Sequence, residues 1–307
     1  MGLLFNILLQ IIFPVFILLA AGAMLHRIFQ FQLSTLSKLL TYLFLPTIIF
    51  TNIYENEMEA ALLLEIGGFL FLQFLVLAVL TSVFAKSTGM DPKLAATFKN
   101  SIVLNNSGNF GIPVSQLVFQ ANPLGSSIQI IVMMFQNILT YTYGMMNSAS
   151  TNGHGSSMVK ELFKTPIIYA LFLGFIFYSF SIPIPGFLWI PLQNLADGFL
   201  AVALITLGAQ VAYPALKHFS FLFFTAIAGR LVFAPIIAFC IITLLGMEGT
   251  VAQALFIASS FPMSRNSALF ALEYDNYPDY AAQGVLVSTM LSSVTVTIVV
   301  YLSELLF

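Results

Sequence analysis

Ten apolar runs, each close to the length needed to cross a bilayer, limit what this chain can fold into more than any other feature. A helix needs about 20 apolar residues to span the hydrocarbon core. The runs fall at 4–26, 35–54, 62–85, 94–120, 127–149, 165–183, 190–213, 219–245, 250–273 and 281–306. The connections between them are short and leave no room for a soluble domain. Charged residues make up 7% of the 307 residues, whereas a soluble domain carries roughly 25%. With an apolar fraction of 59%, the outer surface must face lipid. The expected fold class is therefore all-α integral membrane.

Several functional classes drop out on the same grounds. The net charge of −2 provides no basic footprint for nucleic acid. Cys240 is the single cysteine, so no disulfide forms within one chain. His26, His154 and His218 lie at or near predicted loops without the clustering a metal site requires. Neither H-E-x-x-H, paired membrane aspartates nor a Walker motif is present. An enzyme, an ATP-driven pump and a resident cofactor are not expected. Two unlike breaks in one chain also argue against a channel, which would repeat one filter sequence around a pore. Residues 7–23 end in Ala21-Gly22-Ala23, as a signal peptide might, but no Lys or Arg precedes them and the run approaches full membrane length. It is read as the first span.

The charges give the spans an orientation. Arg27 and Lys38 fall in the first loop, Lys86, Lys93 and Lys99 at the third, Lys160 and Lys164 in the fifth, and Lys217 in the seventh. The termini and even-numbered loops carry no Lys or Arg and hold Glu55, Glu57, Glu59 and Glu248 instead. The positive-inside rule then places both termini outside a plasma (cell inner) membrane and the odd loops in the cytoplasm. A polar segment from Ser148 to Ser157, with Asn152, Gly153, His154 and Gly155, divides the chain. Residues 1–149 form a first five-helix repeat, 150–164 a cytoplasmic linker, and 165–307 a second repeat. An odd number of crossings inserts the second repeat upside down, the arrangement of inverted-repeat transporters.

Each half has an interrupted fourth span. The first break is Asn105-Asn106-Ser107-Gly108-Asn109-Phe110-Gly111-Ile112-Pro113, a concentration of residues that weaken helices. The second is Ser259-Ser260-Phe261-Pro262-Met263-Ser264-Arg265-Asn266. Pro113 and Pro262 are expected to start new half-helices, where a missing N–H costs little. Unwound backbone at membrane depth is tolerated only against protein or an internal water cavity. Two breaks meeting at the midplane would present half-helix N-termini that favour an anion. Asn105, Asn106, Ser107, Asn109, Ser259, Ser260, Ser264 and Asn266 would add polar groups, with Gly111 and the prolines shaping the backbone. Arg265 would hold a carboxylate in its planar fork.

These features resemble the auxin efflux carrier family, particularly its short bacterial members that transport malonate or malate. The resemblance rests on the ten-span layout, the Asn-rich fourth span ending Gly111-Ile112-Pro113, the stretch from Leu195-Ala196-Asp197 to Leu207-Gly208, and Pro262. It implies a fold shared with bile-acid symporters and sodium/proton antiporters, in which broken spans 4 and 9 cross. Spans 1, 2, 6 and 7 would be a dimerising scaffold and spans 3, 4, 5, 8, 9 and 10 a mobile transport domain. The family's crossing prolines carry over to Pro113 and Pro262, and its crossing asparagine to Asn105 or Asn109. The long loop of plant members is absent, so auxin is not carried over as a substrate.

Two further charges are set apart. Arg230 lies deep in the eighth span, where an ionisable group is costly and functional by default; a structural pairing with carbonyls or a carboxylate is the alternative. Asp197 is read either as a proton carrier or as an interfacial carboxylate. Coupling stays open between membrane potential, protons through Asp197, and sodium held by carbonyls and Asn or Ser oxygens. The expected function is secondary transport of a small mono- or dicarboxylate, with cation-coupled symport of a larger amphipathic anion as the alternative.

Overall fold

A computed structural model describes residues 7–55, 60–150, 166–212 and 219–307. The linker expected at 150–164 lies outside the described residues except for Ser150, as do Glu57, Glu59, Lys160, Lys164 and Lys217. Among the described residues the chain is helical throughout, in ten successive rods. They comprise α1 (Leu8–Phe29), α2 (Leu33–Glu55), α3 (Ala60–Ser87), and a broken rod of α4 (Pro92–Val103) and α5 (Ile112–Val118). There follow α6 (Pro123–Ala149), α7 (Pro166–Ser179), α8 (Gly186–Gln210) and α9 (Phe221–Leu245). A second broken rod of α10 (Gly249–Ser259) and α11 (Arg265–Glu273) precedes α12 (Pro278–Leu306).

Among the described residues seven helices are long and apolar enough to cross a membrane. The remaining three rods are α7, a shorter apolar helix, and the two broken ones, whose pieces are each under 18 residues. Large apolar side chains point outward along the rods: Leu64, Phe187, Phe221 and Leu244 are each at least 75% exposed. A water-soluble surface does not carry apolar area on this scale.

Local chemistry explains where rods begin and end. Asp91, Asn122 and Ser220 cap α4, α6 and α9 by accepting from backbone N–H groups of the first turn. Prolines occupy the first turn after Asp91 and Asn122. Gly246, at φ +66°, ends α9 in the left-handed conformation.

The helices associate in two groups. In one, α1 lies along α8, α2 along α7, and α2 also touches α8. Gly22 and Gly208 set the α1–α8 approach: a Cβ on Gly208 would stand 1.9 Å from the Leu19 carbonyl oxygen, and one on Gly22 2.1 Å from that of Ile205. Close backbone contact through small residues is the usual way helices associate where the hydrophobic effect is absent. Arg27 closes one end of this group, donating from Nε and Nη2 to the Ala212 carbonyl at 2.9 and 2.7 Å. In the other group α3 packs on α4 and α9, α6 on α10, and α12 on α10 and α11. An apolar cluster containing Ile48, Ile49, Ile112, Ile130 and Phe199 joins the groups.

Candidate functional site

The two breaks meet. Asn105 and Met263 pair as an isolated antiparallel bridge. The Asn106 N–H donates to the Pro262 carbonyl at 2.9 Å and the Ser264 N–H to the Leu104 carbonyl at 3.0 Å. Each unwound segment thus satisfies the other's backbone, as membrane depth demands. Side chains supply further bonds. Asn105 donates from Nδ2 to the Ala258 carbonyl at 3.1 Å and accepts from the Ser107 hydroxyl. Gln129 of α6 donates to the Ser107 carbonyl at 2.8 Å, and the Ser288 hydroxyl of α12 accepts from the Met263 N–H at 3.1 Å.

The helices resume differently from expectation. After the first break a π-helical turn, Ser107–Gly111, runs into α5, so Pro113 lies inside a helix already under way. After the second, α11 starts at Arg265 with Ser264 as its cap. Pro262 stays in the extended link, where its carbonyl is the acceptor for Asn106. Pro113 still falls in the first turn of α5, where its missing N–H costs little, whereas Pro262 does not open α11, whose cap is the Ser264 hydroxyl accepting from the Asn266 N–H.

Beside the crossing lies a cavity of about 120 Å³. At about 30 Å³ per water, it has room for roughly four waters, or a small organic molecule of similar bulk. Asn105, Asn106, Ser107, Asn109, Ser264, Arg265 and Asn266 all line it, whereas Gly111, Pro113, Ser259, Ser260 and Pro262 do not. Gly111 allows a close approach instead: a Cβ there would stand 2.6 Å from Gln129 Nε2 and 2.7 Å from the Phe261 ring. Ser259 and Ser260 turn their hydroxyls back to the carbonyls of Phe256 and Ile257. Asp197 is exposed on α8 and lines neither this cavity nor the larger one below.

The charge inventory of the cavity is one-sided. Its described lining holds the Arg265 guanidinium and no Asp or Glu. The Nδ2 of the lining residue Asn106 is buried without a hydrogen-bond partner, and a buried donor left unpaired costs about 1–3 kcal/mol. Arg265 Nη1 donates to the Ser37 hydroxyl of α2 at 3.0 Å, tying one helix group to the other. The same Arg265 borders a second cavity of about 510 Å³ among α2, α8, α11 and α12, whose lining is mostly apolar.

Sequence reasoning missed the α2 and α6 side of the site. Thr41, Gln136, Asn137, Thr140 and Tyr141 all line the small cavity. A signal existed: Gln129, Gln136, Asn137 and Thr140 form a polar stripe at helical spacing within an otherwise apolar run. Thr41 and Thr140–Tyr141 also sit in π-helical turns, Leu40–Phe44 and Thr140–Gly144, which recur at functional sites because they widen a helix locally.

The geometry is that of a membrane protein with a small polar compartment at a helix crossing, and comparison with known proteins agrees. Residues 6–156 and 150–300 match the family described as membrane transport protein. An uncharacterized transporter of Methanothermobacter thermautotrophicus is 25% identical over 267 residues, covering 85% of this chain and 86% of that protein. The chain belongs to the membrane transport protein family, the auxin efflux carriers that its broken spans resemble.

Proposed function

We propose that this protein is a secondary transporter of a small organic anion, a mono- or dicarboxylate, bound in the cavity beside the crossing. The observation that carries the reading is the cavity's charge: one guanidinium and, among the described lining residues, no carboxylate. A carboxylate would pair with Arg265 in a charge-assisted bond. The cavity's size suits an acid of a few carbons and excludes a steroid.

The same reading takes the ten rods as ten crossings in two inverted repeats, with α1, α2, α7 and α8 as a scaffold through which two copies pair. The other helices would move against it as one body, in an elevator-like alternation of access. The larger cavity opens among the starts of α2 and α12 and the ends of α8 and α11, all on the side that positive-inside logic assigns to the cytoplasm. The Arg265–Ser37 contact then joins the mobile and fixed parts in an inward-open state. Cation-coupled symport of a larger amphipathic anion is the second reading, because the roughly 510 Å³ cavity shares Arg265 and is mostly apolar.

The test is uptake into proteoliposomes under separate proton, sodium and voltage gradients, paired with thermal shifts of purified protein against C2–C6 carboxylates and a steroid acid. A ligand raises the melting temperature of the state it binds. Arg265→Ala should insert normally, lose the ligand-induced shift and lose uptake by at least about tenfold, the loss of one charge-assisted bond. Full uptake by a well-inserted Arg265→Ala protein rejects the anion reading. Stabilisation by the steroid acid alone favours the second reading.

A further inference from the structure

Four helix ends converge at the crossing, and they are not alike. The C-termini of α4 and α10 bring carbonyls, while the π turn before α5 and the start of α11 bring N–H groups. Arg230 reaches the carbonyl ends. It sits in a π-helical turn of α9, Gly229–Phe233, and is 1% exposed. Its Nη1 donates to the carbonyl of Ile102, next to last in α4, at 2.8 Å, and its Nη2 donates to the carbonyl of Ser259, the last residue of α10. Gly229 lets α9 come this close, since a Cβ there would stand 2.7 Å from Ile102 Cδ1. Among the described residues the ion pair is Lys93–Asp275, so the Arg230 charge is balanced by carbonyl dipoles and not by a carboxylate.

The magnitudes match. A helix C-terminus carries roughly −0.5 of an elementary charge, so two of them amount to about −1. One guanidinium cancels that. Exposed carbonyls at half-helix C-termini are otherwise the groups that coordinate a transported or coupling cation in broken-helix transporters. Here a covalently tethered cation bridges both.

We propose that Arg230 is a built-in counter-cation: it occupies the cation site formed by the ends of α4 and α10, so no inorganic cation is taken up there. Removing the side chain would open a latent site for a monovalent cation, lined by the carbonyls of Ile102 and Ser259. This is more than packing, because a clamp that only fills space would not create affinity for a free ion. The two positive charges thereby act on opposite sides of the crossing. Arg230 neutralises the carbonyl side, and Arg265 stays available on the N–H side.

The experiment does not use the transported substrate, so it stands apart from the proposed function. Purified full-length wild type, Arg230→Ala and Arg230→Met are melted in choline chloride, sodium chloride and millimolar guanidinium chloride. The wild type should show a smaller difference among the three than Arg230→Ala does. Arg230→Ala should melt several degrees lower in choline and recover by about 3 °C or more with guanidinium or sodium. Arg230→Met, which fills the space without charge, should melt low and respond to neither. Sodium stabilisation of the wild type as large as that of Arg230→Ala would overturn the proposal. So would an Arg230→Ala protein that melts like wild type or ignores both cations. If Arg230→Ala cannot be purified, Arg230→Lys decides: it should melt above Arg230→Met, and equality of the two overturns the proposal.

Discussion

Two neighbouring asparagines in the first break show how one side-chain chemistry divides into separate roles. Asn105 spends its amide on structure, bonded to the Ala258 carbonyl and the Ser107 hydroxyl. Asn106 anchors through its backbone, leaves Nδ2 buried and unpaired, and lines the cavity. Resemblance to a family pointed to Asn105 or Asn109 as the crossing asparagine; the bridge to Met263 puts Asn105 where the two breaks meet. Asn106→Asp would replace the Nδ2 donor by a like charge against an anion while keeping the backbone bond to Pro262. It should weaken carboxylate binding at least about tenfold, read by the ligand-induced melting shift, with the unliganded protein still folded. An Asn106→Asp protein that binds as well as wild type removes Asn106 from the site.

At the scale of elements, glycines decide how near helices come. Gly208 rests on the Leu19 carbonyl and Gly22 on that of Ile205, so any side chain at either position must part α1 from α8. Backbone cannot yield as a flexible side chain can. Gly208→Val should cost about 3 kcal/mol or more and lower the detergent melting temperature, without changing ligand affinity in the protein that remains folded. Gly111 is different in kind, since its neighbours are Gln129 and the fully buried Phe261, which packs edge-on against Phe110. Gly111→Ala should push Gln129 off the Ser107 carbonyl and impair both stability, by about 1–3 kcal/mol, and uptake. Loss of stability with unchanged uptake would detach this contact from the site.

At the scale of the molecule, the charge alternation makes a prediction that packing cannot. Cys240 is exposed on α9, and its replacement by Ser should be silent, providing a cysteine-free background. In that background Thr88→Cys, between α3 and α4, should react with a membrane-impermeant maleimide only from the cytoplasmic face. Ser181→Cys, between α7 and α8, should react only from outside. Labelling of both from one face would break the ten-crossing topology.

Much of this was legible in the sequence. Apolar length, sparse charge and the placement of Lys and Arg depend on partition between water and lipid, which each segment expresses almost independently of the others. The breaks at 105–113 and 259–266 were visible for the same reason: Gly, Pro and Asn weaken a helix locally wherever it packs. What the tertiary structure alone decided is pairing. That the breaks join as a bridge at Asn105 and Met263, that Gln129 and Thr41 reach the crossing, and that Arg230 spans two helix ends all depend on residues far apart in the chain. Periodicity records which face of a helix is apolar, not which helix it meets. The ten runs were thus readable one at a time, while the cavity and the allotment of charge between Arg265 and Arg230 exist only once the rods are assembled.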